Sequence, residues 1–384
     1  MSASNERIEF HVHDLGEAEI ASVRETIESL FLTLGPKVAR FEERFAAFLD
    51  VPHVVGVNSC SMALVLSLRA LGIGPGDEVI TTPLTFVATS NAILHLGATP
   101  VFVDVERETG LLDPAKVRAA ITERTRAIVA VHLYGQLADM RALRAIADEH
   151  GLALVEDAAH AIEAERDGVR VGHLGDLTTF SFYATKTMAS GDGGAIAVHD
   201  AELASRLKRL RNHGVSKDAA SRHGGLYQHW DMLELGYKCA MTDIDAALLL
   251  PQIPRLWERR DRRQALVERY ETALSGHPQI ELIRRQGRSG HHLFTVQVPL
   301  GVRDQVLHGL GERNIGVAVN YRAVHTLRHY RERFGFEPQA FPNAWEIGER
   351  TISLPLYPKL EEAQVDRVVE ALVETLAQLD RKGS

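Results

Sequence analysis

Short apolar segments alternate with segments of helical spacing from residue 53 to residue 160. The apolar segments are nearly continuous rather than alternating with polar residues, which is typical of strands buried on both faces of a parallel sheet. They are residues 53–57, 78–82, 99–105, 127–135 and 152–160. Since a helical segment follows each strand, the pattern predicts an α/β fold on a mostly parallel mixed sheet.

Helices are predicted where apolar residues recur three or four positions apart or where a capping residue precedes them. They are residues 17–29, 36–49, 61–71, 86–96, 113–121, 140–150, 255–274 and 361–379. After residue 247 the pattern changes, and strands are predicted only at 291–298 and 315–320. We therefore predict a large domain over 1–250 and a smaller α+β domain over 251–384.

Composition narrows the class of protein. The net charge of the 384 residues is −8, which disfavours a nucleic-acid partner. With only two cysteines, Cys60 and Cys239, the chain is expected in a reducing compartment. No signal peptide and no apolar run of ~18 residues is found, so we predict a cytoplasmic protein without a membrane partner.

Asp157 stands near the C-terminal end of the strand LALVEDAAH, where open α/β sheets bind their ligands. A buried carboxylate needs a partner, and a protonated pyridine nitrogen would be a suitable one. The alternative is that Asp157 caps a helix beginning at AAHAI.

Lys186 is the last residue of the segment FSFYATK and precedes the glycine-rich GDGGA. A desolvated lysine beside a cationic ring can lose its proton and act as nucleophile and base. Most lysines are solvated surface groups, so Lys186 alone is weak support for such a site. Its position between EDAAH and GDGG favours the functional interpretation.

A phosphate site is predicted at Ser59, Cys60 and Ser61, which open a helix directly after the strand HVVGV. Free backbone N–H groups and the helix dipole bind phosphate at such a position, although ordinary capping is the alternative. Ser181 could supply another hydroxyl to the same phosphate.

Two other patterns do not predict ligand sites. Gly72, Gly74 and Gly76 follow a helix and precede a strand, whereas the dinucleotide motif needs the opposite order. His325 and His329 are four residues apart but have neither the H-E-x-x-H motif nor a cysteine cluster, so no metal site is predicted.

In the order and spacing of its motifs, the chain resembles the DegT–StrS family of sugar aminotransferases. This family has the aspartate-aminotransferase fold and uses pyridoxal 5'-phosphate (PLP). The resemblance extends from about residue 17 to residue 379. The matching segments are GVNSCSMAL, TTPLTFVATSNAI, VHLYG, VEDAAHA, GDLTTFSFYATKTMASGDGGA, NHG, GYKCAMTDIDAAL and SLPLYP.

The resemblance implies a role for each matching residue. Lys186 matches the lysine that holds PLP as a Schiff base, and Asp157 matches the partner of the pyridine nitrogen. Phe86 matches the aromatic side chain that stacks on the ring, and His160 matches the side chain beside its phenolic oxygen. The phosphate-binding positions are Ser59, Cys60, Ser61 and Ser181.

Lys238 occupies a position where many relatives have an asparagine that reaches the phosphate from the neighbouring subunit. The resemblance therefore implies a homodimer with shared active sites. The chain departs from the family pattern at Cys60, Ser61, Asp192, Lys238 and Ala240. The departure at Ala240 leaves the substrate contacts near the dimer interface open.

The implied reaction transfers an amino group from L-glutamate to a nucleotide-linked keto-sugar, with 2-oxoglutarate as the co-product. Residues 320–335 are similar to enzymes that aminate C4 of UDP-linked 4-keto sugars for lipopolysaccharide and other surface glycans. Specificity is expected in the loops 218–230 and 323–342. The residues expected to bind substrate are Tyr183, His213, Tyr321 and His325.

Two other functions remain open from the sequence. One is dehydration of a deoxysugar with PLP, although relatives with that activity carry histidine at the position of Lys186. The other is a regulatory protein that keeps the fold without turnover.

Overall fold

A computed structural model describes residues 6–216 and 229–383 of the chain. The helices are α1 Glu17–Ile27, α2 Pro36–Leu49, α3 Cys60–Ala70, α4 Ala88–His95, α5 Pro114–Ala119, α6 Met140–His150, α7 Ala201–Leu210, α8 Asp243–Leu249, α9 Leu256–Leu274, α10 Arg303–Glu312, α11 Arg328–Phe334, α12 Pro342–Arg350 and α13 Glu362–Gly383. The strands are β1 His53–Val57, β2 Glu78–Thr81, β3 Thr99–Phe102, β4 Thr125–Val131, β5 Ala153–Asp157, β6 Glu165–Arg166, β7 Val169–Arg170, β8 Leu177–Ser181, β9 Gly194–Val198, β10 Glu281–Leu282, β11 Phe294–Gln297 and β12 Thr351–Leu354.

A seven-stranded sheet in the order β1-β9-β8-β5-β4-β2-β3 forms the centre of the fold. β9 runs antiparallel to its neighbours β1 and β8, and the remaining pairs are parallel. The mixed, mostly parallel sheet that the sequence predicts is therefore confirmed.

Helices cover both faces of this sheet. Along β4, Ile128 and Ala130 pack into the core that α2 and α6 close, whereas Ala127 and Val129 pack into the core beneath α3 and α4. This arrangement explains why the parallel strands read as continuous apolar runs. It also leaves the C-terminal ends of β4, β5 and β8 as the place where polar side chains can gather.

A second, antiparallel sheet of β10, β11 and β12 packs with α9, α10 and α13 around a separate apolar core. Ile8, near the N-terminus, belongs to this core and pairs with Ile315. The division of the chain at residue 250 stays a prediction.

The predicted strand over 315–320 is wrong. Its residues make only isolated pairings, Ile315 with Ile8 and Ala318 with Ser353, so the segment crosses between two partners without running along either. β12, which the sequence analysis did not predict, forms the third strand of the small sheet instead.

Across residues 6–216 and 229–383, none of the helices is both long enough and apolar enough to cross a membrane.

Candidate active site

Asp157 is the last residue of β5 and lies at the C-terminal edge of the large sheet. Its Oδ2 accepts a hydrogen bond from the Thr89 hydroxyl at 2.7 Å, and its Oδ1 accepts from the backbone N–H of Ala159 at 3.2 Å. Because turns rather than a helix follow Asp157, the interpretation of this residue as a helix cap is wrong. Both donors stabilise the anionic carboxylate, which lies almost entirely buried.

Lys186 lies in the loop between β8 and β9, where its backbone N–H donates to the Tyr183 carbonyl at 2.8 Å. Burial lowers the pKa of Lys186 from 10.5 to about 8, and the negative charge of Asp157 opposes this shift. A lysine with this pKa can exist as a neutral amine close to neutral pH, which most surface lysines cannot.

The N-terminus of α3 faces the same space. Ser59 caps the helix by accepting a hydrogen bond from the Met62 N–H at 3.2 Å, while the first N–H groups of a helix have no partner within it. A Cβ atom at Gly194 would lie 2.5 Å from the Ser59 carbonyl carbon and 2.6 Å from the Cys60 nitrogen. Glycine in the GDGG motif therefore allows β9 to pass directly beneath this helix end.

One cavity of about 550 Å³ brings most of the predicted site together. The residues of the sequence analysis that line it are Ser59, Cys60, Ser61, Phe86, Asp157, His160, Ser181, Tyr183, Lys186 and Tyr321. A helix N-terminus and hydroxyls suited to phosphate, a carboxylate suited to a pyridinium and a lysine suited to an aldehyde thus share one space. This set of groups fits PLP.

His160 is neutral in this cavity. Burial and the positive charge of Lys186 together hold the pKa of His160 well below its usual value of 6.5. The backbone N–H of Tyr134 donates to His160 Nδ1 at 3.3 Å, so the ring proton resides on Nε2 and points to the Tyr321 hydroxyl 3.1 Å away. The ring of Tyr321 lies 5.7 Å from that of Phe86, which is about half exposed at the mouth of the cavity.

Three predicted residues lie elsewhere in this chain. His325 is fully buried, donates through Nε2 to the Pro338 carbonyl at 2.7 Å and packs against Phe341 at 4.9 Å between ring centres. The structure therefore does not bring His325 to the cavity. His213 and Lys238 are exposed and do not line the cavity either. Of the loop 218–230, residues 218–228 lie outside the described residues.

The sequence analysis missed Thr89, His292 and Asn320. Thr89 lies within the segment TTPLTFVATSNAI that carries the resemblance, but only the fold brings its hydroxyl to Asp157. His292 Nε2 lies 3.5 Å from Lys186 Nζ, and its segment predicted nothing beyond a strand. Asn320 lines the cavity beside Tyr321. It is the first residue of the segment 320–335, whose resemblance to sugar aminotransferases could have identified it as a site residue.

The described residues contain no group of three or more histidine, cysteine or carboxylate side chains arranged to hold a metal ion.

Comparison with known proteins identifies the family. Residues 13–373 match the model of the DegT/DnrJ/EryC1/StrS aminotransferase family. The chain is 46% identical over 368 residues to the spore coat polysaccharide biosynthesis protein SpsC of Bacillus subtilis, covering 93% of this chain and 94% of SpsC.

Two solved structures are similar in fold and sequence. The sugar aminotransferase Spr1654 of Streptococcus pneumoniae in its PLP form has a TM-score of 0.90 at 31% identity, covering 97% of this chain and 99% of that chain. DesI, solved in the presence of its TDP-sugar product, has a TM-score of 0.86 at 31% identity, covering 97% and 93%. The chain belongs to the DegT/DnrJ/EryC1/StrS aminotransferase family, and its cofactor is PLP.

Proposed function

We propose that this protein transfers the amino group of L-glutamate to a nucleotide-linked keto-sugar, at C4 of a UDP-linked 4-keto sugar, for the synthesis of a surface polysaccharide. The observation that carries the proposal is the convergence of Lys186, Asp157 and the N-terminus of α3 on one cavity. These groups are complementary to the aldehyde, the pyridine nitrogen and the phosphate of PLP. The kinship with SpsC, a polysaccharide biosynthesis protein, supports the pathway.

The strand ends and α3 bind and orient the cofactor. PLP, when bound, supplies the electron sink that stabilises negative charge on the amino-bearing carbon of the substrate. Asp157 would hold the pyridine nitrogen in its protonated form, and the Thr89 hydroxyl keeps this carboxylate in place by donating to it at 2.7 Å. The first N–H groups of α3, with the hydroxyls of Ser59 and Ser181, hold the phosphate.

Lys186 would hold the cofactor through its aldehyde and, once released, would act as the base. With its pKa lowered to about 8 by burial, the freed side chain would carry the proton that leaves the substrate carbon. Because 2-oxoglutarate would leave before the keto-sugar binds, the kinetics are expected to be ping-pong. This requirement for lysine separates the proposal from deoxysugar dehydration, for which the related enzymes carry histidine.

His160 and Tyr321 form the polar pair beside the ring. His160 is held neutral by burial, and its Nε2–H points to the Tyr321 oxygen at 3.1 Å. The Tyr321 hydroxyl proton is thereby left to donate to an acceptor such as the phenolic oxygen of PLP or a substrate oxygen.

The mouth of the cavity suits a sugar. Tyr183 and Phe86 expose 53% and 56% of their surface there, and flat aromatic faces next to polar groups are usual where ligands are bound. A volume of about 550 Å³ is within the range of ligand sites that take both a cofactor ring and part of a substrate. The structure of DesI with its TDP-sugar product supports a nucleotide as the carrier of the sugar. The identity of the nucleobase, uracil or thymine, is therefore the part of the proposal to test.

The proposed assembly is a homodimer. Four exposed apolar side chains lie in α1 and in the segment that joins it to α2: Ile20, Ile27, Leu30 and Leu32. Exposed apolar clusters of this kind usually mark surfaces that another protein covers. Lys238, which is exposed in this chain, would then reach the phosphate of the partner's cofactor, and sedimentation or light scattering measures the assembly directly.

The test of the reaction is the visible spectrum of the purified protein with PLP, before and after addition of L-glutamate. The wild type is expected to show the band of lysine-bound PLP and to lose it with glutamate. Lys186→Ala should lack the band, while Lys208→Ala, which changes an exposed lysine on α7, should keep it.

A panel of UDP- and dTDP-linked keto-sugars then identifies the acceptor by mass spectrometry of the amino-sugar product. A 4-amino product formed from the UDP-linked 4-keto sugar alone is the expected result. Turnover of the dTDP-linked sugars alone would contradict the choice of nucleotide. A wild type without the visible band at saturating PLP would contradict the enzyme and favour the regulatory alternative.

A further inference from the structure

His292 is a third titratable side chain at the reaction centre, next to Lys186 and His160. Its Nε2 lies 3.5 Å from Lys186 Nζ, and its ring centre lies 4.4 Å from that of His160. Lys186 lines both the large cavity and a second cavity of about 20 Å³, whereas His292 lines only the second. His292 therefore contacts the lysine from the side away from the proposed substrate.

The surroundings of His292 keep its ring neutral. Burial lowers the pKa of His292 well below 6.5, and the positive charges of Lys186 and Arg263 act in the same direction. No carboxylate is among the groups that shift it. Lys186 itself faces Asp157, whose negative charge favours the ammonium form of the lysine.

The hydrogen-bond direction follows from these charge states. In the apoprotein at neutral pH, Lys186 is mostly an ammonium, because its pKa is about 8. An ammonium group has three donors and no acceptor, so His292 Nε2 must accept the hydrogen bond. When the amine is neutral, the same bond uses one N–H on the far side and leaves the lone pair free to face the large cavity.

The segment that carries His292 is held in place from two sides. Arg263 of α9 donates twice to the Gly290 carbonyl, from Nε at 3.1 Å and from Nη2 at 2.9 Å. The same guanidinium donates to Glu163 at 2.8 Å, and both of these side chains are almost fully buried. The Gly135 carbonyl accepts from the Gly290 N–H at 2.9 Å and from the Ser289 hydroxyl at 3.1 Å.

We propose that His292 is a positioning residue that holds the free amine of Lys186 from behind and aims its lone pair at the substrate carbon between the two proton transfers. The proposal rests on the proposed role of Lys186 as the base. Its physical basis is that the rate of proton transfer falls steeply when the reacting atom is displaced by about 1 Å, and a long, flexible lysine side chain needs a contact to prevent that displacement.

The experiment compares His292→Leu, which has no acceptor, with His292→Gln, whose Oε1 can replace Nε2. The first readout is the pH dependence of acetylation of Lys186 in the apoprotein, followed by peptide mass spectrometry, which needs no turnover. We expect a midpoint of about 8 in the wild type and in His292→Gln. In His292→Leu the midpoint should fall by about one to two pH units, since the ammonium loses an acceptor.

The second readout is the isotope effect with 2-deuterated L-glutamate. His292→Leu should lower kcat by about 10-fold or more and raise the isotope effect, because proton transfer becomes slower relative to the other steps. His291→Gln is the matched control, since this neighbouring histidine bonds Gln264 of α9 at 2.5 Å and does not contact Lys186.

His292→Asn, whose shorter side chain cannot reach Lys186, replaces His292→Leu if that variant does not fold. A midpoint and an isotope effect unchanged from the wild type in either variant would overturn the proposal. If L-glutamate does not react but the acetylation midpoint shifts as expected, the contact with His292 stands and the proposed reaction is what fails.

Discussion

The two walls of the active-site cavity differ in origin and in charge. The strand wall, formed by the ends of β5 and β8, the loop after β8 and the start of α3, carries Asp157 and Lys186. The C-terminal wall carries neutral polar groups, Asn320 and Tyr321, with His292 behind Lys186. The comparison suggests that the strand wall provides the charges of the reaction and that the C-terminal wall sets the position of the groups that move protons.

The largest effect is expected at Asp157. Asp157→Asn keeps the size of the side chain but removes the negative charge that would hold the pyridine proton, so kcat for the glutamate half-reaction should fall by about 10³-fold. The rate of this half-reaction is measured by stopped-flow, as the decay of the visible band of the bound cofactor after mixing with L-glutamate. Thr89→Val removes the 2.7 Å hydrogen bond to this carboxylate, together with the contact of the hydroxyl with Thr85, but leaves the charge of Asp157, and should cost about 10-fold. Equal losses in the two variants would mean that the charge itself contributes little.

The buried lysine should cost stability in the apoprotein. Because the folded pKa of Lys186 is about 8 and the unfolded value is 10.5, the unfolded chain binds more protons between these values, and stability rises with pH there. Below pH 8 the folded state carries the full cost of burying the charge. Lys186→Met should therefore stabilise the apoprotein at neutral pH by about 2–3 kcal/mol, with the gain disappearing toward pH 10.5.

Urea unfolding of the apoprotein at several pH values measures this difference. A Lys186→Met variant no more stable than the wild type at neutral pH would show that burying the charge of Lys186 does not lower the free energy of unfolding. Lys208→Met, on the exposed surface of α7, is the matched control and should change the free energy of unfolding by less than about 0.5 kcal/mol.

The smallest effect is expected on the C-terminal wall. Tyr321→Phe removes the oxygen to which His160 donates at 3.1 Å but keeps the aromatic ring near Phe86. We expect kcat to fall by about 10-fold with little change in PLP affinity, since one neutral hydrogen bond is lost. Steady-state kinetics measures kcat, and PLP titration measures the affinity for the cofactor. A loss as large as that of Asp157→Asn would remove the distinction between the walls.

The sequence predicted one wall better than the other for a physical reason. Asp157, Lys186 and Ser59 follow strands that read clearly as apolar runs, and parallel strands bring their C-terminal ends to one edge. Tyr321 reaches the cavity, and His292 reaches Lys186, only because the small sheet packs where it does, and no local spacing encodes that packing. His325, four residues beyond Tyr321, is close in sequence yet points into an aromatic cluster with Phe341.

The same contrast holds for the fold. α2 and α6 have the predicted bounds, because their apolar stripes and caps are strong. The error at 315–320 and the missed strand β12 both concern short segments of the small sheet. The pairing of β11 with β12 covers only four residues, and Ile315 pairs only with the distant residue Ile8. Such short pairings leave little local pattern in the sequence.

The most direct test of the account is to load the protein with PLP, reduce it with borohydride and map the modified peptide by mass spectrometry. The account predicts that the pyridoxyl group is found on Lys186, in the segment between β8 and β9. A label on another lysine, or no label in a protein saturated with PLP, would contradict the assignment of this cavity as the active site.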